Sequence, residues 1–193
     1  MGQYYKPIIL NNNNSIKGYV HPHHFDNGLK LLEHSYINND VVAIITLQIM
    51  NNPQKLVWAG DYADNAYKYY CRCDEKRHEI TENDIVPSCE PNDVTFWGMA
   101  REKVAKCRYF INHTKKQYFD MTKLDTKVSW GDLRIHPLPI LTADGNGRGG
   151  GDYSVNDDNP ADKLVGTWAY NLIEASEDKP DATYGEIYPN FKE

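Results

Sequence analysis

Hydrophobic and polar positions alternate along several stretches of the chain, and this pattern predicts strands. Residues 3–10 and 16–20 indicate two strands joined across an Asn-rich turn. Residues 107–112 and 117–121 alternate in the same way around a short polar segment, which predicts a β-hairpin. Residues 55–59 are apolar enough for a buried strand. The pattern therefore favours one main sheet.

Fewer segments of the sequence predict helices than predict strands. Asn39 or Asp40 is suited to cap a helix over residues 41–50, although the density of Val, Ile and Thr leaves a buried strand open. Residues 29–33 indicate one helical turn or more, and residues 96–106 indicate a short helix.

Two later segments are harder to assign. Pro137 and Pro139 predict that residues 133–142 are extended, because proline lacks an N–H donor and restricts the residue before it. Residues 164–175 fit a helical face and a strand face, and their glycine and threonine favour a strand. Together the elements predict an α+β fold, a single compact domain with one mainly antiparallel sheet and a few short helices.

Length and charge narrow the class of protein. A chain of 193 residues suits one ordinary domain. Its net charge of −6 argues against a duplex nucleic-acid partner, because duplex binding needs a basic face. We expect no membrane association, since no apolar run reaches the roughly 18–20 residues of a spanning helix and the start does not resemble a secretory signal. Four cysteines are too few for a disulfide scaffold, which favours a cytoplasmic protein.

Charge is unevenly distributed along the chain. Eleven acidic and four basic residues follow residue 143, so this region carries a net charge of −7. We expect the domain to span residues 1–175 and an acidic, flexible segment to span residues 176–193. The alternative is an acidic patch that faces a basic partner. The 14 tyrosines could furnish a recognition surface for such a partner, or simply reflect an AT-rich genome.

A glycine-rich segment, residues 141–153, is the most informative stretch. Glycine is suited to positive φ and to close approach of the backbone to a ligand. Successive N–H groups in such a loop can form an anion-binding nest, and an arginine adds a planar fork for phosphate or carboxylate. The segment is therefore a ligand-binding loop or a plain flexible connection. Its candidate contacts are Asp144, Asn146, Arg148, Asp152 and Tyr153.

Several named phosphate and calcium motifs fail in this segment. The spacing of Gly145, Gly147 and Gly150 matches the dinucleotide fingerprint, but no helix pattern follows it. The Gly-Lys-Ser/Thr ending of a P-loop is missing. An EF-hand would place Arg148 at a ligand position and Val155 where the bidentate glutamate belongs. A non-standard calcium loop remains a minor alternative, with Asp144, Asp152, Asp157 and Asp158 as ligands.

Residues 58–64, Trp-Ala-Gly-Asp-Tyr-Ala-Asp, form a second candidate segment just beyond a predicted strand. In a ligand cradle, Trp58 or Tyr62 would stack on a ring, and Asp61 or Asp64 would accept hydrogen bonds. The two carboxylates could also hold a divalent metal. The alternative is a core tryptophan followed by an Asp-capped turn. A real site requires Asp61 and Asp152 to converge with Arg148.

Other residues suggest metal or acid–base chemistry more weakly. Zinc sites normally use cysteines two to four residues apart, and a single residue separates the first two here, so zinc or another divalent cation is not favoured. The weak zinc candidates are Cys71, Cys73, His78 and Cys89. His113 lies in the predicted hairpin turn, where an exposed basic turn is a stronger interpretation than a general base.

Four segments together resemble an uncharacterised family of bacterial and phage proteins of similar size. They are residues 4–7, 58–64, 111–116 and 141–153, and the resemblance spans most of the chain. It implies a phage or mobile-element origin and the cytoplasm of a bacterial host, and it carries no activity to transfer. His136-Pro137 with Asp144-Gly-Asn-Gly-Arg148 also resembles the Fic-type nucleotidyl-transfer motif, but the spacer is four residues longer and that family's fold is all-helical.

Three functions follow from these features. The favoured one is a protein that binds a small phosphorylated or nucleotide-like ligand and, in a phage, sequesters a host defence signal. The second is an inhibitor of a host protein, which acts through a tyrosine-rich, acidic surface. The third is a metal-dependent phosphoester hydrolase that uses the aspartates of the two candidate segments. Binding is favoured because the usual nucleophile and base pairs are missing, so no catalytic residue is assigned. The oligomeric state stays open, a homo-oligomer included.

Overall fold

The computed structural model describes residues 2–73, 79–81, 94–124, 134–145, 153, 155 and 158–192, with backbone alone for residues 94–97 and 99. Within these residues, eight strands form one mainly antiparallel sheet that packs against four short α-helices. The strands are β1 (Tyr5–Leu10), β2 (Ile16–Tyr19), β3 (Gln54–Gly60), β4 (Tyr109–Asn112), β5 (Gln117–Asp120), β6 (Ala143–Asp144), β7 (Asn171–Ser176) and β8 (Gly185–Glu186). The α-helices are α1 (Asp40–Ile49), α2 (Tyr67–Arg72), α3 (Val94–Lys106) and α4 (Pro137–Leu141). This confirms the predicted fold class.

The sheet has the strand order β2-β1-β3-β7-β4-β5-β8, and β6 joins it as a second partner of β3. β7 pairs with the first half of β3, over residues 54–56, and β6 pairs with its second half. The β3–β6 and β5–β8 pairs are parallel, while the other pairs are antiparallel. The position of β6 brings the start of the glycine-rich segment to the end of β3.

The two faces of the sheet bury different clusters. One face packs against α1 and α4 and forms the main core, which includes Ile45, Trp58, Phe110, Phe119 and Leu138. The other face of β1 and β3 packs against α2, and its cluster includes Ile8, Val57 and Tyr69. Burial of these apolar side chains is the main driving force that holds the layers together.

α1 is a helix and not the alternative strand, and Asn39 is its N-cap. The side-chain oxygen of Asn39 accepts a hydrogen bond from the backbone N–H of Val41 at 2.9 Å. This bond satisfies one of the amide groups that the first helical turn leaves without a partner. Tertiary burial outweighs the modest helix propensity of valine and isoleucine, since the side chains of Val41, Ile44 and Ile45 are fully buried.

The prediction that residues 133–142 are extended is wrong for the helix α4. Pro137 occupies the first helical position and Pro139 lies in the same first turn, where a backbone N–H has no intrahelical acceptor to lose. His136 caps the helix, because its Nδ1 accepts a hydrogen bond from the N–H of Leu138 at 3.2 Å. The strand expected within residues 164–175 is confined to β7, and turns precede it.

The end of the chain adds to the sheet. The N–H groups of Gly185 and Ile187 donate to the carbonyls of Lys116 and Tyr118 at 2.8 Å each. Phe191 is buried in the main core. Among the described helices, none is long and apolar enough to cross a membrane.

Candidate functional site

The two candidate segments meet at the end of β3. Trp58 lies opposite Ala143, and Ala59 lies opposite Asp144, in the parallel β3–β6 pair. The strand β3 ends at Gly60, and the N–H of Asp61 then donates to the carbonyl of Tyr4 at 2.9 Å. The backbone therefore brings Asp144, at the start of the glycine-rich segment, beside the end of β3. Asn146, Arg148 and Asp152 lie outside the described residues, as do Asp157 and the candidate metal ligands His78 and Cys89.

A cavity of about 480 Å³ opens beside β6, and we call it the β6 cavity. Its walls come from parts of the chain that are far apart in sequence. They include Tyr5, Leu31, Asp144, Gly145, Tyr153 and Thr167. Small-molecule sites typically measure about 300–1,000 Å³, so the cavity has the size of a ligand site.

Two glycines allow neighbouring segments in the wall of the β6 cavity to approach one another closely. A Cβ at Gly145 would lie 2.0 Å from the phenol oxygen of Tyr5. Gly166 has a φ of +69°, and a Cβ there would lie 2.7 Å from the carbonyl oxygen of Ala143. That oxygen belongs to the β6 backbone, which the sheet holds in place. Only glycine fits both positions without a shift of the wall.

The polar atoms of the two wall tyrosines are engaged within the protein. The hydroxyl of Tyr5 donates to Oε1 of Gln3 at 3.0 Å. The hydroxyl of Tyr153 donates to Oδ1 of Asp162 at 2.5 Å and accepts from the N–H of Lys192 at 3.1 Å. Burial, and secondly the bond to Asp162, raises the pKa of Tyr153 well above its usual value. Both tyrosines are thereby fixed in place by their hydroxyl groups.

Asp144 is also hydrogen-bonded inside the protein. Its Oδ2 accepts a bond from the hydroxyl of Tyr170 at 2.5 Å. Burial, and secondly this carboxylate, raises the pKa of Tyr170 well above its usual value, so the phenol stays a donor at neutral pH. Among the described residues that line the β6 cavity, no side chain is basic.

The structure distributes the residues of the 58–64 segment differently from a ligand cradle. Trp58 is fully buried in the main core, where its Nε1 donates to Nε2 of His34 at 3.0 Å. Asp61 accepts a bond from the N–H of Tyr4 at 3.0 Å. Tyr62 and Asp64 are exposed. None of these four residues lines the β6 cavity, so their role in ligand binding stays a prediction.

The described part of the candidate zinc cluster is not brought together. Cys71 is exposed on α2, whereas Cys73 is fully buried in the apolar cluster beneath it. Within the described residues, no group of three His, Cys, Asp or Glu side chains could hold a metal ion.

His136 acts as a structural residue in this fold. It is buried, it caps α4, and its ring lies edge-on to Phe110 at a centroid distance of 4.9 Å. Desolvation lowers the pKa of His136 to about 3, so the ring is neutral at physiological pH. The helix cap therefore accounts for this histidine without a role as a catalytic base.

Sequence reasoning missed a hydrogen-bonded chain on the other face of the sheet. Nε2 of His113 lies 2.7 Å from Oε2 of Glu174, and its Nδ1 lies 2.8 Å from the hydroxyl of Tyr184. We call these three residues the His113 triad. Glu174 and Tyr184 are 61 and 71 residues from His113 along the chain, so no local motif could reveal the triad. The same holds for Tyr5, Leu31 and Thr167 in the β6 cavity.

Comparisons of the chain with protein-family models, with curated proteins and with solved structures find no match. The functional argument therefore depends on the cavities and side chains themselves.

Proposed function

We propose that this protein binds a small ligand with a planar aromatic ring, of the nucleobase class, in the β6 cavity. The observation that carries the proposal is a cavity of about 480 Å³ whose lining residues include Tyr5 and Tyr153. Aromatic side chains stack on nucleobases with about 1–3 kcal/mol per base. Leu31 and Val165 add aliphatic walls that suit the apolar faces of such a ring.

The fixed wall supports binding without turnover. The hydroxyl groups of Tyr5 and Tyr153 and the carboxylate of Asp144 are engaged in internal hydrogen bonds. A preorganised wall loses little conformational entropy when a ligand binds. Sequestration of a host defence signal in this cavity stays an expectation from the sequence.

A phosphate on the ligand remains an expectation from the sequence, through Arg148. The described walls of the β6 cavity carry no basic side chain, so they support recognition of the ring. The experiment below therefore treats the ring and the phosphate separately.

Isothermal titration calorimetry with adenosine, guanosine, cytidine, uridine and their 5′-monophosphates tests the proposal. Val165→Trp fills the β6 cavity and should weaken binding at least about tenfold, because a well-packed wall cannot absorb the larger side chain. Val165→Leu, a smaller change at the same position, should retain binding. Circular dichroism confirms that both variants are folded. Binding by Val165→Trp at the affinity of the natural protein, or no binding by any of the eight compounds, would overturn the proposal.

Two variants of opposite charge at the rim of the β6 cavity then test whether the ligand carries a phosphate. Val155 lines the β6 cavity and is 60% exposed, so a charged side chain is tolerated there. For a phosphorylated ligand, Val155→Arg should tighten binding and Val155→Glu should weaken it, each by a few-fold that declines with salt. Tyr67, which is 55% exposed on α2, offers the matched control pair Tyr67→Arg and Tyr67→Glu, which should change nothing. Equal affinities for both Val155 variants would assign the ligand as an unphosphorylated one.

A further inference from the structure

A second cavity, of about 490 Å³, lies on the other side of the short 3₁₀ helix Leu31–His34. That helix contributes Leu31 to the β6 cavity and Glu33 to the second one. We call the second one the α1 cavity, because residues at the start of α1 form part of its wall. It is lined by Asn27, Glu33, Tyr36, Asn38, Asp40 and Arg134, among others.

Glu33 and Asp40 supply carboxylate acceptors to the α1 cavity, and one oxygen of each carboxylate already accepts a hydrogen bond within the protein. Oε2 of Glu33 accepts from the N–H of Lys30 at 2.9 Å, and Oδ1 of Asp40 accepts from Arg101 at 3.1 Å. The second oxygen of each carboxylate has no hydrogen-bond partner among the described residues. Gly28 makes the position of Glu33 possible, since a Cβ there would lie 2.1 Å from its Oε2.

The donors of the α1 cavity are Asn38 and Arg134. Both side chains are exposed, and neither has a hydrogen bond within the part of the chain that the structure describes. The backbone holds the two residues close together, because the N–H of Ile37 donates to the carbonyl of Arg134 at 2.8 Å. Asn38 has a φ of 71°, a left-handed conformation that asparagine tolerates better than most residues.

The charges of the α1 cavity select a neutral ligand. The charge of Asp40 is balanced by Arg101, which leaves Glu33 and Arg134 with opposite signs. A phosphate would face two carboxylates, and a metal cation would face the guanidinium of Arg134. The ligand must therefore supply donors and acceptors without a net charge of its own.

We propose that the α1 cavity binds a carbohydrate, a mono- or disaccharide. Each hydroxyl group of a sugar donates one hydrogen bond and accepts two. It can thus donate to Glu33 or Asp40 while it accepts from Asn38 or Arg134. The ring of Tyr36 in the same wall offers an amphipathic surface for the C–H face of the sugar.

Saturation-transfer NMR with glucose, galactose, N-acetylglucosamine, maltose and lactose tests this site. Arg134→Ala and Asn38→Gly should each weaken saccharide binding about tenfold, the effect of losing a hydrogen bond to a charged or amide donor. Glycine at position 38 keeps the left-handed backbone while it removes the amide. Glycine and glutamine serve as zwitterionic probes. Transfer to these amino acids and to none of the sugars would overturn the carbohydrate assignment, as would an absence of transfer to every compound.

Matched controls separate a lost ligand contact from a lost fold. Asn51 is exposed, has a φ of 50° and lies outside the α1 cavity, so Asn51→Gly should leave saccharide binding unchanged. Arg72→Ala, an exposed arginine on α2, is the control for Arg134→Ala. Val165→Trp should block only the β6 cavity. If it removed saccharide binding too, or if the Arg134 and Asn38 variants bound sugar normally, the assignment to the α1 cavity would be wrong.

Discussion

Two buried histidines make the stability of the protein sensitive to acid. His34 accepts a hydrogen bond from the indole N–H of Trp58 through Nε2, and its Nδ1 lies 3.0 Å from the carbonyl of Gly28. This arrangement requires the neutral ring, with its proton on Nδ1. Desolvation lowers the pKa of His34 to about 4 and that of His136 to about 3. Both rings are therefore neutral in the folded state at pH 5, whereas free histidine is mostly protonated there.

We expect the free energy of unfolding to fall as the pH drops from about 6.5 towards 4. The unfolded chain then binds protons that the folded chain excludes, and each histidine contributes up to about 1.4 kcal/mol per pH unit. Urea denaturation at pH 7, 6 and 5, followed by tryptophan fluorescence, measures the slope. His136→Asn keeps an oxygen to cap α4 and should reduce the slope by one proton. An unchanged slope in that variant would show that His136 is not the titrating group.

The sequence could predict the residue types of the candidate site but not what each side chain contacts. Trp58 and Asp144 belong to the segments that converge, yet Trp58 faces the core and Asp144 is bound by Tyr170. Residue spacing does not predict the hydrogen bond between Tyr170 and Asp144, because that bond depends on the pairing of β6 with β3. The local pattern therefore predicts a candidate segment at the end of β3, whereas long-range packing decides which residues line the β6 cavity.

At the scale of elements, the His113 triad connects the β4–β5 hairpin to β7 and to the segment that leads into β8. Tyr184→Phe removes the hydroxyl that bonds to His113 and keeps the ring, over which Lys116 lies at 4.6 Å. We expect the amides of Gly185 and Ile187 to exchange about five- to tenfold faster in this variant, the effect of losing one hydrogen bond. Hydrogen exchange measured by NMR checks this. Tyr67→Phe, at an exposed tyrosine of α2, is the control, and equal exchange in both variants would show that the triad does not hold β8.

The sequence pattern predicts most of the elements, whereas α2, α4, β6 and β8 have no counterpart in it. The hairpin, the first two strands and α1 follow from alternation and from the cap at Asn39. The sequence pattern does not predict the helix α4, because proline breaks a helix in its interior, whereas a proline in the first turn costs no hydrogen bond. The strand β6 has only two residues, too few for any periodicity to predict, although it places the candidate site.

At the scale of the whole molecule, the acidic end of the chain is partly neutralised by the domain itself. Glu186 pairs with Lys123 at 2.6 Å, and Glu174 lies 2.7 Å from Nε2 of His113. Cations also lie over the rings of Tyr118 and Tyr184 on this face. A truncation of residues 176–193, meant to test an acidic interaction surface, would also remove β8 and Phe191. Point substitutions of the acidic residues are therefore the better test of a protein partner.

Phe191 links this end of the chain to the β6 cavity. Its ring packs on that of Tyr153 at a centroid distance of 5.2 Å, and the next residue donates its N–H to the hydroxyl of Tyr153. Phe191→Ala should lower the free energy of unfolding by about 3 kcal/mol, the lower end of the cost of a buried phenylalanine. It should also weaken binding of the aromatic ligand, because Tyr153 loses the ring that packs against its own.

Tyr188→Ala is the matched control for Phe191→Ala, since Tyr188 belongs to the same segment and is 56% exposed. We expect it to change stability by about 0.5 kcal/mol, as exposed positions usually do, and to leave ligand affinity unchanged. Urea denaturation and calorimetry of the two variants measure both quantities. A loss of stability in Phe191→Ala with full ligand affinity would show that Tyr153 keeps its position without the end of the chain. Equal stabilities of the two variants would contradict the burial of Phe191 in the core.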